Sequence, residues 1–63
     1  MLWELKRTVH ERFGTQGDAA QALSTHESTL SRVIRCRKKL NDNEKQRWAS
    51  ILGEPIEKLF GSN

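Results

Sequence analysis

The sequence predicts an all-α fold, a compact bundle of about five short helices, on three observations. Apolar residues recur at spacings of three, four and seven. β-Branched and aromatic residues are few and nowhere alternate cleanly, so strand signals are weak. Helix caps and stops return at short intervals. With 63 residues the chain is read as one domain, 1–63, without repeats, linker or low-complexity tract. A domain of this size buries only about 60% of the surface its unfolded chain exposes. A single cysteine excludes an intramolecular disulfide. Cys36 with His10 and His26 has no recognised ligand spacing, so no metal and no cofactor are expected.

Leu2, Leu5, Val9 and Phe13 form an apolar stripe along a first helix that Gly14 can end. Trp3 lies off that stripe, free to cover the C-terminal helix or to sit at an interface. Thr15, three residues before Asp18, offers an N-cap close to a capping box. The alanine-rich QGDAAQAL that follows is helix-prone, with Ala19, Ala20 and Leu23 facing a neighbour. Ser24, Thr25 and His26 interrupt it, and any of the three can cap the next helix, Ser24 making a box with Glu27. That third helix carries Leu30, Val33 and Ile34 on one face. Asn41 with Glu44 begins a fourth, whose inward side is read as Trp48, Ile51 and Leu52, with Gly53 as its stop. Pro55 suits the first turn of a last helix, where Ile56, Leu59 and Phe60 supply the apolar face. Gly61, Ser62 and Asn63 are read as a frayed end.

Charge is unevenly distributed. The formal net charge is +3, but the run from Arg32 to Lys39 holds five of the eleven Lys and Arg residues and no acid. Since that run alone carries +5, the remaining chain carries −2. A one-signed patch on a small domain points to a polyanion, nucleic acid before a membrane surface. The bland alternative is a solvated helix face.

Two helices of about eight residues, joined by a short turn and followed by basic residues, outline a helix-turn-helix over about residues 15–35. The stretch TQGDAAQALSTHESTLSRVIRCRKK resembles the central motif of the Cro and lambda-repressor family. Gln16, Ala20, Leu23, Leu30, Ser31, Arg32 and Val33 fall in its register. Phe13-Gly14 and WASILGEPIEKLF are similar to its flanking helices. Ser24 and Cys36 depart from it, standing where the family usually has glycine. A glycine adopts positive φ cheaply and these residues do not, so both turns are expected to be remodelled, with the third helix extended toward Arg37.

The resemblance implies double-stranded DNA binding, with the helix at 26–35 inserted in the major groove, by a bacterial or phage transcriptional regulator or repressor. With Leu30 inward, Ser28, Arg32 and Arg35 point outward and Thr29 and Ser31 flank them. The candidate base-reading set is Glu27, Ser28, Thr29, Ser31 and Arg32. Arg32 can donate two bonds to guanine, Glu27 can accept from cytosine, and Ser28 or Thr29 can meet thymine. Glu27 also suits a first helical turn whatever the ligand. Candidate phosphate contacts are Thr15, Gln16, Arg35, Arg37, Lys38 and Lys39; the role of Gln16 is one the resemblance implies. Family members commonly bind pseudo-palindromic operators as dimers. A homodimer, at least on DNA, is therefore an expectation, with Trp48–Phe60 as its suggested surface.

Enzymatic function is not expected. The sequence offers no nucleophile–base–orienter set and no glycine-rich phosphate loop. No small-molecule ligand is expected either. Cys36 is read as a half-buried cysteine in preference to a reactive thiol. The rival to DNA binding is a small helical interaction module, adaptor or antitoxin-like, whose basic run is solvated or contacts RNA. Such a module needs an apolar groove, and no spare apolar stripe is visible in the sequence. The longest uncharged stretch, Ala19 to His26, is too short to span a bilayer. The start MLWELKR lacks the apolar block of a secretory signal, so a cytoplasmic location, in a bacterium or a phage-infected host, is expected.

Overall fold

In the computed structural model, which describes residues 1–61, the chain forms five helices and, among the described residues, no strand. They are α1 (Trp3–Phe13), α2 (Gln16–Ala22), α3 (Glu27–Ile34), α4 (Asp42–Leu52) and α5 (Ile56–Phe60). The frayed end expected at Ser62 and Asn63 lies outside the described residues. No helix is long and apolar enough to cross a membrane.

The stripe of α1 places Leu5 and Val9 fully inside, with Leu2 and Phe13 packed partly buried against the core. Thr8, on the flank of the stripe, is buried as well. Trp3 lies about 160° round the helix from Leu5. It borders a shallow cleft with Lys58 and Leu59 of α5, stays 66% exposed and holds Lys6 Nζ 5.7 Å from its ring centre. α1 packs on α2 and α5, α2 on α3, and α4 on α5, so α1 is the spine of the bundle. Its start is tied to the end of α3: Leu2 N–H donates to the Ile34 carbonyl at 2.7 Å. That bond satisfies one of the carbonyls a helix end leaves without an intrahelical partner.

Local chemistry explains most boundaries. Thr15 Oγ1 accepts from the Asp18 N–H at 3.2 Å and caps α2. At α4 the capping box is complete: Asn41 Oδ1 accepts from the Glu44 N–H at 2.8 Å, and Glu44 Oε1 accepts from the Asn41 N–H at 3.2 Å. Gly14 and Gly53, at φ 80° and 71°, terminate α1 and α4. Pro55 stands one position earlier than expected, as the N-cap of α5.

The inward face of α4 is Trp48, Ala49 and Leu52; Ile51, expected inside, is 40% exposed. At 100° per residue the buried three centre about 45° beyond Trp48, which leaves Ile51 roughly 100° away. Trp48 packs against Phe60 with ring centres 6.3 Å apart, and its indole Nε1 is buried without a hydrogen-bond partner among the described residues. Leaving a donor so placed costs about 1–3 kcal/mol, which the ring's large buried area offsets. Trp48, Leu52, Leu59 and Phe60 are thus consumed by the domain's own core. Within the suggested dimer surface, Ile51 is the one exposed large apolar residue.

The turns after α2 and α3 keep the left-handed geometry without glycine, which corrects the expectation that they are remodelled. Ser24 has φ 57° and Cys36 φ 62°. Each is the left-handed residue of a Schellman turn. After α2, Ser24 N–H donates to the Gln21 carbonyl at 3.2 Å and Thr25 N–H to the Ala20 carbonyl at 2.9 Å. After α3, Cys36 N–H donates to Val33 at 3.0 Å and Arg37 N–H to Arg32 at 2.8 Å. Left-handed backbone costs a residue with a Cβ about 1–2 kcal/mol, and two hydrogen bonds worth about 1 kcal/mol each offset that. The third helix therefore stops at Ile34, with His26 and Arg35 as its flanking caps, and does not extend toward Arg37. Cys36 is exposed, not half-buried.

Candidate nucleic-acid interface

α3 separates its chemistry by face. Leu30, Val33 and Ile34 are buried, while Ser28, Arg32 and Arg35 are exposed, with Thr29 and Ser31 half-buried on the flanks. Eight residues make just over two turns, with one core-facing stripe and one free stripe along them. The first turn of α3 has no side-chain cap: His26 occupies the N-cap position, but among the described residues no side chain bonds the leading N–H groups there. The alternatives Thr25 and Ser24 lie one and two positions further out, in the Schellman turn.

Glu27, the first residue of α3, reaches toward α2. A methyl group placed on Gly17 would stand 3.5 Å from Glu27 Oε2 and 4.0 Å from Thr15 Oγ1. The carboxylate therefore lies against the first turn of α2, where the N–H end of the helix favours negative charge. That gives Glu27 a structural occupation in addition to any part in base reading. It also puts an acid beside Thr15 and Gln16, two of the expected phosphate contacts. Thr15 is exposed and its hydroxyl is engaged as the α2 cap, while Gln16 is half-buried.

The basic run leaves α3 through the Cys36 turn. Arg35, Arg37, Lys38 and Lys39 are all exposed. The two ion pairs among the described residues lie elsewhere, Arg7–Glu4 at 3.8 Å and Lys58–Glu54 at 3.2 Å, so no carboxylate compensates this run. Leu40 is the anchor that follows it: 6% exposed, it inserts into the core and pins the segment between α3 and α4. Nothing in the sequence pattern singles Leu40 out, since it is a lone apolar residue between lysines and a helix cap.

Beside this segment lies a feature that no one helix reveals. A groove of 450 Å³ is lined by Leu2, Val33, Leu40 and Phe60, with Cys36, Lys38, Lys39 and Lys45 among its remaining walls. Its lining comes from the start of α1, the end of α3, the connecting segment, α4 and α5. The sequence shows no spare apolar stripe, and this groove is formed without one. The four apolar residues come from four different parts of the chain, one from each, too few to register as a stripe. Lys45 Nζ stands 5.9 Å from the Phe60 ring centre at this site. Elsewhere, no three His, Cys, Asp or Glu side chains gather in a way that could hold a metal, among the described residues. A scan against protein-family models finds no match for this chain, and neither do the searches of curated proteins and of solved structures.

Proposed function

We propose that this domain binds double-stranded DNA sequence-specifically, as a small transcriptional regulator of a bacterium or phage, with α3 in the major groove. The observation that carries the reading is the free stripe of α3: Ser28, Arg32 and Arg35 exposed opposite a fully buried stripe, leading into three further exposed cations, Arg37, Lys38 and Lys39, without ion-pair partners among the described residues. α2 packs across α3 as a positioning helix would, and the resemblance to the Cro and lambda-repressor family covers this same stretch. Arg32 reads guanine, with Ser28, Thr29 and Ser31 beside it, and Glu27 joins them where its hold on α2 permits. Arg35, Arg37, Lys38 and Lys39, with Thr15 and Gln16 at the other helix, hold phosphates.

The domain measures 26 × 22 × 20 Å. One copy therefore covers a single half-site, and a pseudo-palindromic operator with half-sites about 34 Å apart needs two copies. The groove beside Leu40 favours a second reading, a helical interaction module docking an apolar partner segment.

The test is selection of bound duplexes from a random pool, followed by titration of the selected and a scrambled sequence. Arg32→Ala should weaken the selected duplex about 5- to 150-fold and the scrambled one far less, as expected for loss of one bidentate base contact. Lys38→Ala with Lys39→Ala should weaken both alike. Selection without enrichment, together with equal losses for Arg32→Ala on both duplexes, would remove sequence readout by α3 from the account.

A further inference from the structure

We infer that the groove beside Leu40 is a binding site for a small amphipathic carboxylate, a molecule with one apolar chain and one anionic head. The volume, 450 Å³, falls within the range of about 300–1,000 Å³ typical of small-molecule sites. Its chemistry has two parts. Leu2, Val33, Leu40 and Phe60 supply apolar wall, and Lys38, Lys39 and Lys45 supply cations around it. None of the three lysines has a carboxylate partner among the described residues. The nearest candidate acid in sequence, Glu44, is engaged as the capping-box partner of Asn41. A cleft lined by apolar residues and by three lysines without carboxylate partners among the described residues is complementary to an acyl chain ending in a carboxylate. A neutral apolar molecule would leave the cations unused, and a bare anion would leave the exposed edge of the apolar wall, Leu2 above all, uncovered.

The site also has a consequence for DNA, which rests on the reading proposed above. Lys38 and Lys39 belong both to the groove and to the expected phosphate contacts. A carboxylate bound between them competes with phosphate for the same two ammonium groups, so the ligand and DNA bind antagonistically. By linkage the antagonism is reciprocal: DNA must weaken the ligand by the same factor.

The experiment is a titration of the uniformly ¹⁵N-labelled 63-residue chain with decanoate below its micelle concentration, followed by amide chemical shifts. Saturable shifts should concentrate at Val33, Cys36, Lys39, Leu40, Lys45 and Phe60. Across butanoate to decanoate, affinity should rise about two- to fourfold per methylene. 1-Octanol should bind at least fivefold more weakly than octanoate. Lys38→Ala/Lys39→Ala/Lys45→Ala should weaken decanoate about tenfold, with a dispersed spectrum reporting that the variant is folded. Shifts that never saturate, shifts spread evenly over the surface, equal binding of octanol and octanoate, or undiminished binding by the triple variant would each overturn the site. A DNA titration with and without saturating decanoate tests the antagonism, for which about a fivefold or larger loss of affinity is expected. Decanoate bound in the groove with DNA affinity unchanged overturns the antagonism. Decanoate bound in the groove by a chain that binds no DNA contradicts the regulator reading alone and leaves the site standing.

Discussion

Helices α1, α4 and α5 end on glycine, whereas α2 and α3 end on turns led by Ser24 and Cys36. The backbone problem is the same in all five: a positive φ closes the helix end. In the outer helices a residue without a Cβ solves it at little cost. In the central pair two crossed hydrogen bonds and tight tertiary anchoring hold a residue that disfavours the conformation. Leu23 and Leu40, both buried, fix the chain on the near side of the first turn and beyond the second. The strain is concentrated in the two turns that flank the free face of α3, and it leaves an exposed side chain at each. Strain of this kind persists only where the surroundings over-determine it, and it often accompanies function.

The largest break in that comparison should come from Leu40→Ala. Removing a buried leucine costs about 2–5 kcal/mol, against a total stability of about 3–9 kcal/mol for a domain of this length. Guanidinium chloride unfolding should show most of the stability gone, because the anchor behind the Cys36 turn is lost. An unchanged midpoint would mean that the turn holds itself.

Next in size are the glycine ends. Gly53→Ala should cost about 1–2 kcal/mol through its left-handed backbone, and Gly14→Ala at least as much, because its φ 80° and ψ −41° lie outside the left-handed helical well. At Gly53 the new methyl also meets Arg12 Nη2 at 3.1 Å, a flexible tip that can move, whereas at Gly14 it meets open space. A loss at Gly14 as large as or larger than that at Gly53, by thermal melting, would show that the backbone angles, not crowding, set the cost at both ends.

Smaller, and opposite in sign, are the effects of relieving the central turns. Ser24→Gly and Cys36→Gly should each stabilise the domain by about 0.5–1 kcal/mol, the left-handed cost minus the extra chain entropy of glycine. The two turns close on separate backbone partners, so the double variant should gain about the sum, raising Tm by roughly 4–16 °C. A loss in either variant would mean the side chain itself contributes.

The smallest change is Gly17→Ala, in the first turn of α2. Its φ lies outside the left-handed region, and the methyl would meet Glu27 Oε2 at an ordinary 3.5 Å. A gain of about 0.5–1 kcal/mol from helix propensity is expected in the same melt. A loss would show that the approach of Glu27 to α2 is tighter than van der Waals contact.

What was legible in the sequence was local. The α1 stripe, the Thr15 cap, the Asn41–Glu44 box and the Gly14 and Gly53 stops each depend on residues within a turn or two of one another. The inward face of α3 was legible for the same reason, since Leu30, Val33 and Ile34 leave only one consistent orientation. The choice between Ala49 and Ile51 was not: both flank Trp48 and Leu52, and the position of α5 decides which one is covered. Leu40 has no periodic neighbour, so its burial depends wholly on tertiary packing. The left-handed turns at Ser24 and Cys36 run against residue preference and exist because the surrounding structure prevails. The groove draws on five parts of the chain and could emerge only once they were assembled. Of the candidate interface, the composition of the free face was readable, while the lean of Glu27 onto α2 was not.

The central claim is that the free face of α3 and the basic run after it form a DNA surface. Its most direct test is fluorescence anisotropy of a labelled mixed-sequence duplex across a salt series, with the wild-type chain and the Lys38→Ala/Lys39→Ala variant side by side. Four to six phosphate contacts per protomer predict a log–log slope of about −4 to −5, made shallower by about 2 in the variant. No binding at low salt, or a slope that the two lysines leave unchanged, would contradict the claim.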